Sequence, residues 1–304
     1  MHHTKDNKVT PVYRGRFAPS PTGPLHFGSL VSAVASYCQA RAMGGEWLLR
    51  IEDIDAPREV EGASDDIIQT LANFGFQWDG DITYQNQRSE HYREALASLT
   101  EKGLLYPCAC SRKEISKISK PGVYPGTCRD GLPAGRQARS WRVRIPSGNI
   151  EFNDAILGPR QFAVEQEIGD FILKRADGLF AYQLAVAVDD TLQGITQVVR
   201  GSDLLDSTPR QIYLQRVLGY SSPEYAHHPV VIDEHGGKLS KQRQAPALDH
   251  RHISADLHRA LAFLGHRPPV TLINAEPDNL WQWAFENWSL GKLANQENSL
   301  ADRN

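Results

Sequence analysis

Cysteine and methionine are scarce in this sequence, and neither sign of charge is in large excess. It has four cysteines, two methionines and a formal net charge of −3. This near-neutral balance excludes a whole-surface attraction to nucleic acid, although it leaves room for a local basic groove. No apolar run approaches the ~18 residues that a membrane span needs, and the first residues lack the apolar core of a secretory signal. We therefore expect a cytoplasmic protein with no membrane segment.

The overall composition is that of a soluble globular enzyme. Hydrophobic residues make up 40% and charged residues 23% of the 304 positions, which excludes a coiled coil and a largely disordered chain. The sequence contains no internal repeat. A chain of this length corresponds to roughly two domains and can bury a substantial core.

The first part of the chain has the pattern of a strand, a loop, a helix and a second strand. Residues 13–18 are typical of a short strand, and residues 27–43 show apolar positions at i, i+3, i+4 and i+7, which predicts a helix. Gly44 ends that helix. Residues 47–51 are mostly apolar, which suits a buried parallel strand. This order predicts a βαβ unit.

Further elements follow along the chain. Strand-like apolar runs occur at 180–188, 195–200 and 229–232. Trp281, Trp283 and Trp288 predict an amphipathic helix near the C-terminus. The periodicity also predicts helices at 63–74, 89–102, 209–218 and 255–264.

Residues 106–168 differ in composition and pattern from the segments on either side. They hold three of the cysteines, many Gly and Pro residues, and alternating runs such as 140–145. Alternation of this kind is typical of half-buried strands. We therefore predict a small inserted domain with antiparallel strands.

The loop after the first strand carries a candidate nucleotide site. It opens the first helix, where an α/β fold presents amide groups and the positive end of the helix dipole to phosphates. Gly28 allows a nucleotide to approach the backbone, and His26 can donate to a phosphate oxygen. A His-x-Gly triplet by itself fits an ordinary turn equally well.

A second candidate is the basic loop that contains Lys238, Ser240 and Lys241. Its amines can close on a triphosphate and stabilise the charge that builds up during nucleotidyl transfer. Alone, this segment also fits a solvated basic turn. It is not a Walker loop, because the Gly-x-x-x-x-Gly-Lys-Ser/Thr pattern occurs nowhere in the chain.

Together, His-x-Gly and Lys-Leu-Ser-Lys resemble the paired signatures of class I aminoacyl-tRNA synthetases. The segments 16–26, 49–55 and 199–205 are similar to the glutamyl-tRNA synthetase branch, and the resemblance covers about residues 13–265. Within that branch the sequence most resembles a shortened group, the glutamyl-queuosine tRNA(Asp) synthetases. The chain ends where a full-length glutamyl enzyme would begin its anticodon-binding domains, its loop reads Lys-Leu-Ser-Lys-Gln, and its insert holds a cysteine cluster.

The resemblance implies a reaction and its partners. L-glutamate is activated with ATP without tRNA, and is then esterified to the cyclopentenediol of queuosine at the wobble position of tRNA(Asp). The 3′ end of the tRNA is not charged. ATP is expected to bring Mg²⁺ as its counterion, and we expect the protein to be a monomer.

The resemblance also implies roles for residues of the matching motifs. His26 and Lys241 stabilise the transition state of activation, and Glu52 receives the α-ammonium of glutamate. Arginines suit the two carboxylates, because the guanidinium fork bonds bidentately, but which arginine holds which carboxylate stays open. The ATP set is His26, Gly28, Ser29, Lys238, Leu239, Ser240 and Lys241. The glutamate set is Arg16, Ala18, Ser20, Glu52, Tyr182 and Arg200.

The clustered cysteines predict a structural zinc site. Cys108, Cys110 and Cys128 lie within 21 residues, and in a cytoplasmic chain such a group favours zinc over a disulfide. The resemblance implies Tyr124 as the fourth ligand, while a water or His91 is the alternative. The ion would stabilise an insert that is too small to build its own core.

The predicted fold is α/β: a class I synthetase Rossmann fold with a small zinc-binding insert and a short helical C-terminal piece. The catalytic domain is expected over 1–104 and 169–242, the insert over 105–168, and a helical stem-contact region over 243–304, with no anticodon-binding domain. Two other functions stay open: a truncated glutamyl-tRNA synthetase that charges 3′ ends, and an inactive zinc-containing RNA-binding protein. Basic side chains of the insert fit an RNA-tracking surface or a merely solvated one equally well: Arg112, Lys113, Arg129, Arg136, Arg139, Arg142 and Arg144.

Overall fold

A computed structural model describes residues 12–119, 123–232, 246–295 and 299–300. The strands are β1 (Arg14–Phe17), β2 (Glu46–Ile51), β3 (Thr83–Tyr84), β4 (Leu105–Cys108), β5 (Ser140–Val143), β6 (Asn149–Asp154), β7 (Gly158–Ala163), β8 (Phe171–Lys174), β9 (Gln197–Gly201), β10 (Glu224–His228), β11 (Val231–Ile232) and β12 (Ser299–Leu300). The α-helices are α1 (Phe27–Ala42), α2 (Ala63–Asn73), α3 (Ser89–Glu101), α4 (Arg112–Ile115), α5 (Tyr182–Leu192), α6 (Thr208–Leu218), α7 (Ile253–Phe263) and α8 (Pro277–Asn287). Short 3-10 turns cover Ala56–Arg58, Gln85–Arg88, Ser202–Ser207, Val270–Asn274 and Leu290–Asn295, and a π turn covers Val164–Ile168.

The centre of the fold is a set of parallel strands. β1, β2 and β3 pair in parallel, and so do β9, β10 and β6. The amide of Thr196 donates to the carbonyl of Arg14 at 2.9 Å, which joins the two groups beside β1. In an open parallel sheet, ligands bind at the carboxyl ends of the strands. The carboxyl ends of β1, β2 and β9 are therefore the place to look for a site.

The predicted βαβ unit is confirmed as β1, α1 and β2. Gly44 has a positive φ of 63° where α1 ends, a conformation that glycine adopts without steric cost. Gly45 is required for a different reason, because a Cβ at this position would lie 2.3 Å from the carbonyl oxygen of Tyr13. The chain can therefore turn from α1 directly into β2 beside β1.

The strand expected over 180–188 is wrong, because residues 182–188 lie in the helix α5. The residues from Leu184 to Val188 are all buried. A helix that is buried on every side presents a continuous apolar run, and periodicity cannot distinguish that run from a buried strand. The correction matters for the site, because the same helix carries buried Asp189 and Asp190 near its end.

The strand expected over 229–232 is present only as the short β11, and the longer strand β10 precedes it. β10 reads Glu-Tyr-Ala-His-His, which contains too few apolar residues to signal a buried strand. It is buried because its polar side chains find partners: the ring of His227 bonds to Asp154 and the ring of His228 to Ser32.

The C-terminal helix packs onto the parallel-strand layer. The indole of Trp281 donates to the carbonyl of Phe74 at 2.9 Å, and its ring packs edge-on against Tyr37 at 5.0 Å. Trp283 lies on the same helix, and Trp288 follows directly after it. The amphipathic helix predicted from these tryptophans is therefore confirmed as α8.

The cysteine-bearing segment contains antiparallel strands as expected. β4, β5 and β8 form one antiparallel sheet, and β6 and β7 form an antiparallel pair. β6 also pairs with β10 through Asp154 and Tyr225, so this pair extends the sheet that contains β9. The domain division at 105 and 168, and a stem-contact role for 243–304, stay predictions. No helix in the described part of the chain has the length and apolarity to cross a membrane.

Candidate active site and metal centre

A cavity of about 270 Å³ lies at the carboxyl ends of β1, β2 and β9. Its wall contains every residue of the predicted glutamate and nucleotide sets that the structure describes. Lys238, Leu239, Ser240 and Lys241 lie outside the described residues. The residues brought together in the wall are Arg16, Ala18, Ser20, His26, Gly28, Ser29, Glu52, Tyr182 and Arg200.

One side of this cavity is the N-terminal end of α1. His26 is the N-cap residue, and its Nδ1 accepts a hydrogen bond from the amide of Ser29 at 3.3 Å. This contact assigns the proton of the neutral ring to Nε2. The first turn of α1 contains no acidic residue, so the positive end of the helix dipole is not neutralised there. The arrangement suits an anionic group such as a phosphate.

The floor of the cavity rests on a network of buried charges. Asp190 accepts from Arg16 at 3.1 and 3.4 Å, and its Oδ1 lies 2.8 Å from Nη2 of Arg50. The same Arg50 nitrogen donates to Glu52 Oε1 at 3.3 Å. All four side chains are buried. A buried charge needs a close partner, since leaving one unpaired costs several kcal/mol.

The two carboxylates of this network differ in protonation behaviour. Burial opposes ionisation of Asp190, but Arg16 and Arg50 outweigh it and hold the pKa of Asp190 below its usual range. For Glu52, burial outweighs Arg50 and Arg16, so the pKa of Glu52 is raised. Asp190 is therefore an anion at neutral pH that fixes the arginines. Glu52 is a carboxyl group that would gain from a cationic ligand.

Two of the three guanidinium nitrogens of Arg200 are hydrogen-bonded to neighbouring side chains, and the third has no such bond in the part of the chain that the structure describes. Its Nε donates to His227 Nε2 at 3.1 Å, and its Nη2 donates to the hydroxyl of Thr208 at 2.8 Å. Its Nη1 is buried and has no hydrogen-bond partner among the described residues. Because Arg200 lines the cavity, this nitrogen is available to an anionic ligand.

Behind Arg200 lies a second pair of polar residues. Nδ1 of His227 and Oδ2 of Asp154 are 2.5 Å apart. Burial and the charge of Arg200 outweigh Asp154 and lower the pKa of His227. The neutral ring accepts from Arg200 through Nε2 and donates to Asp154 through Nδ1. This pair positions the guanidinium.

Sequence reasoning missed these supporting residues. Arg50, Asp154, Asp190 and His227 belong to no predicted set. The available signal was a charged residue inside an apolar run, as for Arg50 in Trp-Leu-Leu-Arg-Ile and for Asp190 after Leu-Ala-Val-Ala-Val. Buried ionisable residues are almost always paired, so such positions indicate partners, but sequence does not name them.

The predicted cysteine cluster is assembled at the end of β4. The sulfurs of Cys108, Cys110 and Cys128 all lie within 4.8 Å of one another. The hydroxyl oxygen of Tyr124 is 3.3 Å from the sulfur of Cys108 and 3.4 Å from that of Cys110. Ligands bound to a tetrahedral ion at about 2.0–2.3 Å lie roughly 3.3–3.8 Å apart. The three cysteines can therefore hold a metal ion.

The cysteines of the cluster do not ionise alike: burial and the neighbouring sulfurs raise the pKa of Cys110, whereas the pKa of Cys108 is lowered. Burial opposes ionisation of Cys108, but hydrogen bonds from Tyr124 and Arg142 outweigh it and lower its pKa. The guanidinium of Arg142 also lies 3.8 Å above the ring of Tyr124. His91, the alternative ligand, lies on α3, where its Nδ1 is 3.7 Å from Glu94. It is not part of the cluster that the described residues form.

Several basic residues of the cysteine-bearing segment have structural partners. Arg129 pairs with Asp170 at 3.3 Å. Arg136 pairs with Glu114 at 2.9 Å. Arg142 donates to the backbone carbonyl of Asp170 at 2.9 Å. These contacts hold the segment together, which reduces the set that could track an RNA backbone. The exposed candidates that remain are Arg112, Lys113 and Arg139.

The substitution Asp190→Asn tests the network under the cavity. It would leave Arg16 and Arg50 facing a neutral amide, so we expect the free energy of unfolding to fall by about 3 kcal/mol or more. Urea denaturation at neutral pH measures this. Because the pKa of Asp190 is lowered in the folded state, its contribution is present above the unfolded pKa of about 3.9 and is lost as the pH falls through the folded value.

The matched control is Asp177→Asn. Asp177 pairs with Arg175 at 2.6 Å, but its side chain is 43% exposed. An exposed pair contributes only about 0–1 kcal/mol. The assigned role of Asp190 would be contradicted if both variants lost the same free energy of unfolding. It would also be contradicted if the difference between the two variants were the same in strong acid as at neutral pH.

Comparisons with known proteins match this chain to one family. The model of the family described as tRNA synthetases class I (E and Q), catalytic domain, matches residues 12–264. A glutamyl-Q tRNA(Asp) synthetase from Dechloromonas aromatica is 57% identical over 290 residues, which are 93% of this chain and 96% of that protein. A protein of the same name from Pseudomonas aeruginosa is 47% identical over 285 residues, covering 94% of this chain and 96% of its own.

A solved structure confirms the fold class. The crystal structure of a glutamate tRNA ligase from Elizabethkingia meningosepticum in complex with its amino acid is similar, with a TM-score of 0.79 at 24% identity. The similarity covers 95% of this chain and 67% of that one. The predicted α/β class I synthetase fold is therefore confirmed. From the family match and the close relatives together, the chain belongs to the class I tRNA synthetases of the E and Q family.

Proposed function

We propose that this protein activates L-glutamate with ATP, without needing tRNA, and transfers the glutamyl group to queuosine at the wobble position of tRNA(Asp). The observation that carries the proposal is the charge pattern of the cavity wall: Arg16, Arg200 and Glu52 are buried around one space. Two cations and one anion are the inverse of glutamate, which has two carboxylates and one ammonium. The names of the close relatives support the choice of acceptor.

Each group of glutamate has a partner in this arrangement. The α-ammonium pairs with Glu52, whose raised pKa reflects the absence of enough positive charge around it. The carboxylates take the remaining donors of Arg16 and Arg200, including the buried Nη1 of Arg200. Burial raises the pKa of Tyr182, so its phenol stays protonated and can donate. Ser20 and Ala18 close the wall beside it.

Activation is an in-line displacement on phosphorus. A carboxylate oxygen of glutamate attacks the α-phosphorus of ATP, the bond to the bridging oxygen breaks, and pyrophosphate leaves. His26 Nε2–H, the amide of Gly28 at the start of α1 and the hydroxyl of Ser29 stabilise the developing charge. Lys238 and Lys241, which lie outside the described residues, would add positive charge against the triphosphate. ATP brings Mg²⁺, which neutralises its phosphates.

Transfer then releases AMP. A hydroxyl of the cyclopentenediol attacks the carbonyl carbon of the mixed anhydride. The carbon–oxygen bond to phosphate breaks, and the departing AMP phosphate takes up the proton. No side chain of the protein becomes covalently attached. Because one chain builds the cavity, the proposal includes a monomer, and tRNA as the acceptor is consistent with a cytoplasmic location.

The function is tested with labelled glutamate, ATP and two pools of total tRNA, one containing queuosine and one lacking it. We expect label only in the first pool, and RNase A digestion should leave it on an internal oligonucleotide. Equal label in both pools, released with the terminal adenosine, would instead identify an enzyme that charges 3′ ends. Absence of glutamate-dependent ATP–pyrophosphate exchange would identify an inactive RNA-binding protein.

Zinc is the metal that we propose for the cluster, with Tyr124 completing the set of Cys108, Cys110 and Cys128. The ion would fix β4 against the loop that carries Tyr124. We expect the purified protein to contain one equivalent of zinc by elemental analysis. Cys128→Ser should lose it, because a tetrahedral site needs all of its ligands.

Two further variants sharpen the zinc prediction. Cys38→Ala is the control, since Cys38 is buried in α1, far along the chain from the cluster, and the variant should retain the metal. Tyr124→Phe should release zinc to a chelator faster than the wild type. Retention of zinc by Cys128→Ser, or unchanged release by Tyr124→Phe, would contradict the proposed ligand set.

A further inference from the structure

A second cavity of about 390 Å³ adjoins the first. Ser20, Glu52 and Tyr182 belong to the walls of both. The rest of its wall comes from the loops after β1 and β2, from Arg112 of α4, and from residues around β8 and the start of α5. A group bound there can therefore reach a glutamyl group held against Glu52.

Asp55 and Glu59 in the wall of this second cavity each have one carboxylate oxygen without a donor among the described residues. One oxygen of Asp55 is taken by Arg58 at 2.5 Å and by Arg175 at 2.8 Å. Its other oxygen, Oδ1, is buried and has no hydrogen-bond partner among the described residues. Oε1 of Glu59 is likewise buried and has no hydrogen-bond partner among the described residues. An unpaired buried acceptor costs roughly 1–3 kcal/mol, and more when it is charged, so both oxygens call for donors from a ligand.

We propose that this second cavity is the acceptor pocket, and that Glu59, together with Asp55 Oδ1, recognises the side chain of queuosine. This inference rests on the proposed function and names the part of the site that selects the acceptor. The queuosine side chain has a secondary amine, which is cationic at neutral pH, and a cyclopentenediol. The amine and one of the hydroxyls can donate to the two unpaired oxygens.

The carboxylate of Glu59 explains how the acceptor is selected. A terminal adenosine also offers a diol, but it has no cation to pair with Glu59. Burial and the neighbouring Asp53 and Asp55 raise the pKa of Glu59, and a bound cation would restore its charged form. Arg112 is exposed at the rim of the same cavity. It can contact a phosphate beside the wobble nucleotide, since arginine contacts to the backbone position a nucleic acid without reading its sequence.

Glu59→Gln tests the acceptor pocket, because it removes the charge and keeps the shape. We expect the KM for queuosine-containing tRNA(Asp) in glutamyl transfer to rise roughly 10–100-fold, the range that a lost charge-assisted hydrogen bond produces. Glutamate-dependent ATP–pyrophosphate exchange reports on the first cavity and on folding. The exchange rate of Glu59→Gln should stay within about twofold of the wild-type rate. A twofold change corresponds to much less than the 1.4 kcal/mol of a tenfold change.

The matched control is Glu61→Gln, two residues away on an exposed position. It removes the same charge from the same loop and should leave both reactions unchanged. Free queuosine nucleoside gives an independent readout. It should inhibit transfer by the wild type more strongly than guanosine does, and this preference should be lost in Glu59→Gln.

Several results would overturn the inference. If Glu59→Gln transfers glutamate with the wild-type KM while exchange is intact, the pocket does not recognise the cation. If exchange falls in parallel with transfer, Glu59 serves activation or folding instead. If Glu61→Gln has the same effect, the cause is the general charge of the loop. Failure of the proposed function is seen separately, because the wild type itself would then not glutamylate queuosine.

Discussion

The site depends on the burial of two guanidinium groups around one carboxylate. Asp190 lies between Arg16 and Arg50, and all three side chains are buried. Buried cations are tolerated only with close anionic partners, so this one aspartate allows Arg16 to stand in the cavity wall and Arg50 to be buried beside it. Arg200 is held differently: it donates to the neutral ring of His227, and that ring bonds to Asp154. The two supports leave donors facing the cavity.

Parallel-strand topology explains why residues far apart in sequence meet here. Arg16 is on β1, Glu52 directly follows β2, and Arg200 is on β9. Strands that run in the same direction end at the same edge of the sheet, where the loops and helix N-termini also gather. Helix α5 then enters this edge with Tyr182 at its start and Asp190 near its end. One helix therefore supplies both a wall residue and the anion beneath the wall.

The motifs in the sequence predicted the wall of the site but not its support. Arg16, Glu52 and Arg200 could be found because they lie in segments long enough to resemble a family. Asp190 could not, since its importance arises from packing against β1 and β2, which are over a hundred residues away. The same limit explains the wrong strand at 180–188: an apolar run shows burial, but whether the backbone is helical depends on what surrounds it.

Local chemistry was predictable where ligands are close in sequence. Cys108, Cys110 and Cys128 were expected to gather, and they do. The strand β10 was not predictable in this way. Its two histidines are stable in the core because partners such as Asp154 and Ser32 are there to bond them. Polar residues become core residues when tertiary structure provides partners, and sequence patterns do not contain that information.

The most direct test of this account is a crystal structure of the protein with a sulfamoyl analogue of glutamyl-adenylate. The account predicts that the ammonium of the analogue lies within hydrogen-bond distance of Glu52, that its side-chain carboxylate meets Arg16 or Arg200, and that its sulfamoyl group lies beside His26 at the start of α1. An analogue whose amino-acid part lies away from Glu52 and both arginines would contradict it.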